Sequence, residues 1–246
     1  MAKNVGLLQF VGKLGGISGR VTPYGTIVST PGGFKGDRIR TEDRYLVTRQ
    51  LGTEFGRCSK VASKLHSCLV AYLKMLSQHH VYGTIQARLT AIKACDVIAP
   101  KGERSVGAGL HTEAGRALLL DFGFSAKKGL RDVVSGGYAM DMEAGRLTFM
   151  DFGLKEMVLP KGAQSVGLEL LLLRLDTETP DCKMETSGLS LFLKDDLSGR
   201  IVLDCAVPEG DGFLIGVCYV MFCDVVNGDV YGFRTECNVL DVVGVL

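Results

Sequence analysis

Tryptophan is absent from the 246 residues, proline occurs six times and histidine four. The histidines, His66, His79, His80 and His111, make no His-x-x-x-His pair, and none of the eight cysteines makes a Cys-x-x-Cys pair. Zinc sites are built on such spacings, so nothing argues for a zinc-held fold. The chain also lacks a Gly-x-Ser-x-Gly elbow and a Gly-x-x-x-x-Gly-Lys-Ser/Thr loop, which removes the usual sequence grounds for acyl transfer and for nucleoside triphosphate binding. No stretch approaches the roughly 18 apolar residues of a membrane helix. The longest, Gly212 to Cys223, is interrupted by Gly216 and rich in Val and Ile, and reads as a buried strand. The opening Met1-Ala2-Lys3-Asn4-Val5-Gly6 carries no apolar secretory segment. The expectation is therefore a protein made in the cytoplasm with reduced thiols, several of them acting as small hydrophobes in apolar runs.

What the chain has in quantity is glycine, 32 residues. They crowd the first third: Gly6, Gly12, Gly15-Gly16, Gly19, Gly25 and Gly32-Gly33. Between them lie β-prone pieces, Leu7–Val11, Arg20–Thr22 and Thr26–Ser29, so two or three short strands with tight turns are expected. Large apolar residues are too few there for a core of its own. This arm must pack on the body or on a neighbouring subunit. Residues 34–50 follow as a basic, polar segment in which Thr41 is a candidate N-cap for a short helix.

Residues 51–98 carry the sustained helical period. Phe55, Cys58, Ala62, Leu65, Leu69, Tyr72 and Leu76 step by three and four along one face, with Arg57, Lys60 and Lys64 opposite. Thr53 is a candidate N-cap, and a second helix is expected over Thr84–Ile98 with Ile85, Leu89 and Ile92 inward. The two should form an antiparallel pair. His79-His80 falls at a helix end, where positive charge is favourable.

Pro100-Lys101-Gly102-Glu103-Arg104 is the best candidate boundary. Beyond it the period becomes two, and everything reads as strands and turns: Ala117–Phe124, Gly137–Met142, Arg146–Phe152, Ser165–Leu173, Leu189–Leu193, Arg200–Cys205, Phe213–Cys223, Val230–Thr235 and Asn238–Val243. Asn227-Gly228 is a type I′ hairpin signal. The expected fold class is α+β: a Gly-rich β arm (1–50), an antiparallel helix pair (51–100) and an antiparallel, jelly-roll-like β-sandwich (106–246).

Net charge of +1 conceals an asymmetry, +10 over residues 1–105 and −9 over residues 106–246. Lys35, Arg38, Arg40, Arg44, Arg49, Arg57, Lys60 and Lys64 form the candidate contact set. Clustered cations are the footprint of phosphate binding, of an acidic surface on a neighbouring subunit, or of a solvated face. With only Phe34, Tyr45 and Phe55 interleaved, base stacking is poorly supported. Asp195-Asp196, Asp204, Glu209 and Asp211 read as turn acids; their spacing matches no calcium loop. Asp-Phe-Gly occurs at 121–123 and 151–153 without the other parts of a kinase, and reads as two strands ending at glycine. No catalytic residue and no cofactor is expected.

The opening resembles a family of uncharacterised proteins from Bacteroidetes genomes and their phage-like elements. The resembling residues are Gly6-Leu7-Leu8, Gly12, Gly15-Gly16, Pro31-Gly32-Gly33, Asp37-Arg38-Ile39, Thr48-Arg49, Glu54-Phe55-Gly56-Arg57 with Lys60 and Lys64, Arg88-Leu89-Thr90 and Arg104-Ser105-Val106. The match covers about the first 110 residues and loosens at Gln50-Leu51-Gly52-Thr53. It implies a phage-associated structural protein and brings no catalytic residues with it. The resulting expectation is a non-enzymatic virion subunit of capsid or tail. Its partners would be copies of itself and other virion proteins, with non-specific nucleic acid against the basic part. The alternative is a β-sandwich module binding glycans or a protein, which exposed Tyr138 or Tyr219 would favour.

Overall fold

The structure is a computed structural model. It describes residues 2–4, 10–30, 36–76, 80–125, 128–154, 163, 165–193, 199–226, 229–232 and 237–246. Lys35, His79, the 161–162 turn, the Asp195-Asp196 pair, the Asn227-Gly228 turn and most of the expected strand at Leu7–Val11 lie outside the described residues. The fold is mixed α+β. The chain divides into two compact units, Met1–Arg49 and Gln50–Leu246.

The first unit holds four strands, β1 (Ala2–Asn4), β2 (Gly12–Leu14), β3 (Ile17–Thr22) and β4 (Gly25–Ser29), in the antiparallel order β1-β4-β3-β2. It also holds a short helix, α1 (Gly36–Thr41), and a 3-10 turn, Asp43–Tyr45. Thr41 ends α1 instead of starting a helix; its hydroxyl donates back to the Asp37 carbonyl at 3.0 Å. No described hydrophobic residue of this unit is buried, and Val11, Leu14, Val21 and Tyr24 are each more than half exposed.

In the second unit, α2 (Leu46–Cys68) begins just before the division, seven residues ahead of the expected cap at Thr53, and runs through Gly52 and Gly56. It breaks at Leu69 and resumes as α3 (Val70–Lys74). The apolar face is as expected at Cys58, Ala62, Leu65, Leu69 and Leu76, all buried. Phe55 is the exception, 56% exposed, and its neighbour Glu54 turns inward instead. α4 (Val81–Ala94) buries Ile85, Leu89 and Ile92. It runs antiparallel to α2, because Glu54 meets Lys93, Cys58 meets Thr90 and His66 meets Tyr82.

The expectation of strands throughout residues 106–246 is corrected at three places: α5 (Val106–Leu110), α6 (Glu113–Leu120) and α7 (Leu130–Val133) are helical. The apolar run Ala117-Leu118-Leu119-Leu120 fits either period, and the caps decide it. Ser105 Oγ accepts from Ala108 N at 3.1 Å and Thr112 Oγ1 from Gly115 N at 3.0 Å. Each side-chain acceptor satisfies one of the amides that a helix start leaves open.

The remaining strands are β5 (Val134–Ser135), β6 (Tyr138–Asp141), β7 (Arg146–Leu154), β8 (Ser165–Asp176), β9 (Asp181–Thr186), β10 (Ser190–Leu193), β11 (Gly199–Asp204), β12 (Phe213–Val226), β13 (Asp229–Gly232) and β14 (Val239–Val245). β8 and β12 pair antiparallel from Phe213↔Leu175 to Cys223↔Ser165 and form the spine of the larger sheet. β9 and β10 share the free side of β8; β14 and β13 share that of β12. The smaller sheet is centred on β7, with β11 on one edge and β6 and β5 on the other. Between β6 and β7, Asp141 Oδ1 accepts from Glu143 N and Ala144 N, and Gly145 takes φ +66°, closing the turn read from Glu143-Ala144-Gly145.

Two cores lie on opposite faces of the larger sheet. Leu171, Leu173, Leu175, Ile215, Val217 and Tyr219 face the helices. The alternate residues Val166, Leu168, Leu170, Leu172, Val220 and Phe222 face Leu147, Phe149, Phe152, Ile201 and Leu203 of the smaller sheet. A strand covered on both faces reads as a continuous apolar run, which is why Leu170-Leu171-Leu172-Leu173 shows no alternation. Helices and strands thus share one unit, and residues 51–100 and 106–246 do not form separate bodies.

Candidate functional site

The expected cationic set is divided between the two units. In the first, Arg38 Nε meets Glu42 Oε1 at 2.5 Å and Arg44 Nε meets Glu42 Oε2 at 2.6 Å. Arg49 Nη1 donates to the carbonyls of Ile39 and Glu42, both at 2.9 Å. Three guanidinium groups thus gather on one glutamate and fix the α1 to α2 connection, while Arg40 is exposed. In the second unit, Arg57 reaches the carbonyls of Gly102 and Glu103 at 3.4 Å, Lys64 lies 3.8 Å from Asp181, and Lys60 is exposed. Surface pairs like Lys64–Asp181 contribute about 0–1 kcal/mol. Much of the described set therefore holds its own chain together, leaving Arg40 and Lys60 as the most available charges among its described members.

Sequence reasoning missed a buried polar junction beside Arg57. Glu54 Oε2 receives Lys93 Nζ at 2.5 Å and Oε1 receives Gly102 N at 2.7 Å. Both partners of the ion pair are nearly enclosed, at 11% and 2% side-chain exposure. Burial pushes the Glu54 carboxyl up, but the hydrogen bonds from Lys93 and Gly102 and the charges of Lys93 and Arg104 outweigh it, so its pKa ends below the usual value. Asp96 accepts from Ala99 N and Ser105 N and is likewise lowered, chiefly by the Ala99 amide. Together these groups clamp the 96–105 turn onto α2 and α4. The available signal was a charged residue at an inward position of each helical face.

A cavity of about 480 Å³ lies where β14 meets the loop between α6 and α7. Phe122, Leu130, Tyr138 and Asp241 are among its walls. Asp241 Oδ2 accepts from Leu130 N at 2.5 Å, at the start of α7. Asp241 Oδ1 is buried with no hydrogen-bond partner among the described residues. It is shut in by Gly123, where a Cβ would stand 2.5 Å away. Burial pushes the Asp241 carboxyl up to about 6, with Asp132 adding to the rise and the Leu130 amide opposing it. Burial also raises the Tyr138 phenol. The free oxygen of Asp241 is enclosed, so the visible role of the side chain is to hold Gly123 and Leu130 on β14.

The other residues tested for chemistry are accounted for locally. Asp204 pairs with Arg146 at 2.6 Å, and Glu209 and Asp211 border a depression shared with Arg174 and Lys183. No described group of three or more His, Cys, Asp or Glu side chains could hold a metal ion. His80 precedes the first turn of α4, the helix end where positive charge is unfavourable, which corrects the expectation. His111 packs against Phe213, ring centroids 5.0 Å apart. The first Asp-Phe-Gly follows helix α6 rather than ending a strand; the second lies in β7. Tyr219 is 3% exposed and Tyr138 is half-buried, so neither is the exposed aromatic a glycan platform would need. No described helix is long and apolar enough to cross a membrane. The chain matches no protein-family model, no curated protein and no solved structure.

Proposed function

We propose that the chain is a non-enzymatic structural protein that assembles with copies of itself, as a capsid or tail subunit of a phage virion. The observation that carries this reading is the first unit: a four-stranded sheet and a short helix with no buried hydrophobic residue among those described. A sheet of this size needs an apolar face packed on something to be stable. Its Val11, Leu14, Val21 and Tyr24 remain open to solvent. A neighbouring subunit supplies the missing cover.

Charge supports the same reading. Residues 1–49 carry +5 and residues 50–246 carry −4. Opposite potentials on two parts of one chain favour contact between copies and steer their encounter. The two β-layers that face each other across the second core serve as the jelly-roll-like sandwich wall of the assembly. The exposed Arg40 and Lys60 touch either an acidic subunit surface or packaged nucleic acid, through phosphate contacts that need no base reading. The resemblance of the first 110 residues to phage-associated proteins points to the virion as the place of assembly.

The test is size-exclusion chromatography with negative-stain microscopy over a range of protein concentrations. Regular particles, rings or tubes are expected. A 26.5 kDa monomer at every concentration refutes the proposal.

A further inference from the structure

The strands along the free side of β8 differ in what they show to solvent. β9 presents Asp181, Lys183 and Glu185. Charges at an edge discourage pairing with a foreign strand. β10 presents Leu191 and Leu193 instead, 42% and 56% exposed, and Leu189 just before it is 40% exposed. Phe192 between them turns into the second core. One edge of β10 pairs with β8, Leu191 opposite Gly167 and Leu193 opposite Ser165, and no described strand pairs with its other edge. Leu189 covers Gly167, where a Cβ would stand 2.8 Å from its Cδ1. The leucine row therefore lies on the helix-bearing side of the sheet.

Resting on the self-assembly reading, we propose that the open edge of β10 is the docking site for a second copy, and that the docking element is β2 of that copy. β2 ends the strand order of its own sheet, is exposed along its whole length, and is flanked by Val11 at 75% exposure and ends in Leu14 at 64%. Its Lys13 and the net +5 of its unit complement Glu185 on the neighbouring β9, where Asp181 already faces Lys64, and the −4 of the second unit. Strand addition at an edge draws affinity from main-chain hydrogen bonds, and the alternate side chains set the register. The two surfaces are different patches of the same chain, so the contact is head-to-tail. It propagates into a ring or filament and does not close as an isologous dimer.

The experiment compares the full-length chain with Leu191→Lys and with Val202→Lys as an exposed control on β11, by sedimentation velocity. Hydrogen–deuterium exchange on the wild type, dilute and concentrated, accompanies it. The expected result is that Leu191→Lys weakens association by about tenfold or more, Val202→Lys does not, and the amides of residues 190–193 and 12–14 gain protection on assembly. If the wild type assembles while Leu191→Lys assembles equally well and those amides stay unprotected, β10 is not the acceptor and the self-assembly reading survives. If Leu191→Lys fails to fold, protection in the wild type decides alone. If the wild type never assembles, both proposals fall.

Discussion

Replacing Asp241 by asparagine should stabilise the protein at neutral pH and do progressively less as the pH falls. The carboxyl rises from 3.8 to about 6 because it is buried with a single amide donor, on Oδ2. A carboxyl whose folded pKa is raised favours folding at low pH, and that contribution is lost as pH rises through 6. Two pKa units at about 1.4 kcal/mol each make the ionised Asp241 cost about 3 kcal/mol above pH 7. At pH 4.5 the folded carboxyl is protonated, and only the ionisation of the unfolded chain opposes folding, by about 1 kcal/mol. Asparagine keeps an acceptor for Leu130 N, fits the same space and never ionises. Urea unfolding of both proteins between pH 4.5 and 8 reads the difference directly. The stability gap in favour of Asp241→Asn should widen by about 2 kcal/mol from pH 4.5 to 7.5 and then level off. A gap independent of pH, or an asparagine variant less stable than wild type at pH 7.5, would refute the burial argument.

Lys93→Met leaves Glu54 buried without its cation and should cost about 3–5 kcal/mol; adding Glu54→Gln should recover part of it, both read by urea midpoint. Gly109→Ala places a Cβ 2.1 Å from the Ile92 carbonyl, where α5 crosses α4, and should cost at least ~2 kcal/mol by the same assay. Tyr72→Phe removes the 3.0 Å hydrogen bond to the largely buried Glu169. It should lower stability by about 1–3 kcal/mol, since a hydrogen bond to a charged partner is lost; a neutral effect would mean that water takes its place.

Much of the fold was legible because the apolar period is strong where one face is buried. Cys58, Ala62, Leu65, Ile85, Leu89 and Ile92 declared the helix pair. β6, β7, β10, β11, β12 and β14 overlap their expected spans, since Val, Ile and aromatic alternation marks half-buried strands. The reading failed where short apolar runs carry no period of their own. At Ala117–Leu120, the preceding Thr112 was the better guide than the leucines. β9 was missed because Asp181, Lys183 and Glu185 make an edge strand look like a loop.

The candidate site was less legible for a different reason. A count of Lys and Arg cannot say which charges are already occupied. Glu42 takes up Arg38 at the i,i+4 spacing of a helix, but its pairing with Arg44 and the bond from Arg49 to its carbonyl depend on the turn at Asp43–Tyr45. Glu54 and Lys93 are 39 residues apart and meet only because the helices are antiparallel. Asp241 acquires its character from Gly123 and Leu130, which the 122–130 loop brings to β14.

The claim beneath the functional reading is that a cationic unit without a core of its own is completed by the anionic unit of another copy. Light-scattering mass of the purified chain, followed from 50 mM to 1 M sodium chloride at fixed protein concentration, tests it most directly. Because the screening length falls from above 10 Å to about 3 Å over that range, the mass should start at a multiple of 26.5 kDa and decline as salt rises. A mass of one chain at the lowest salt and highest concentration would contradict the account.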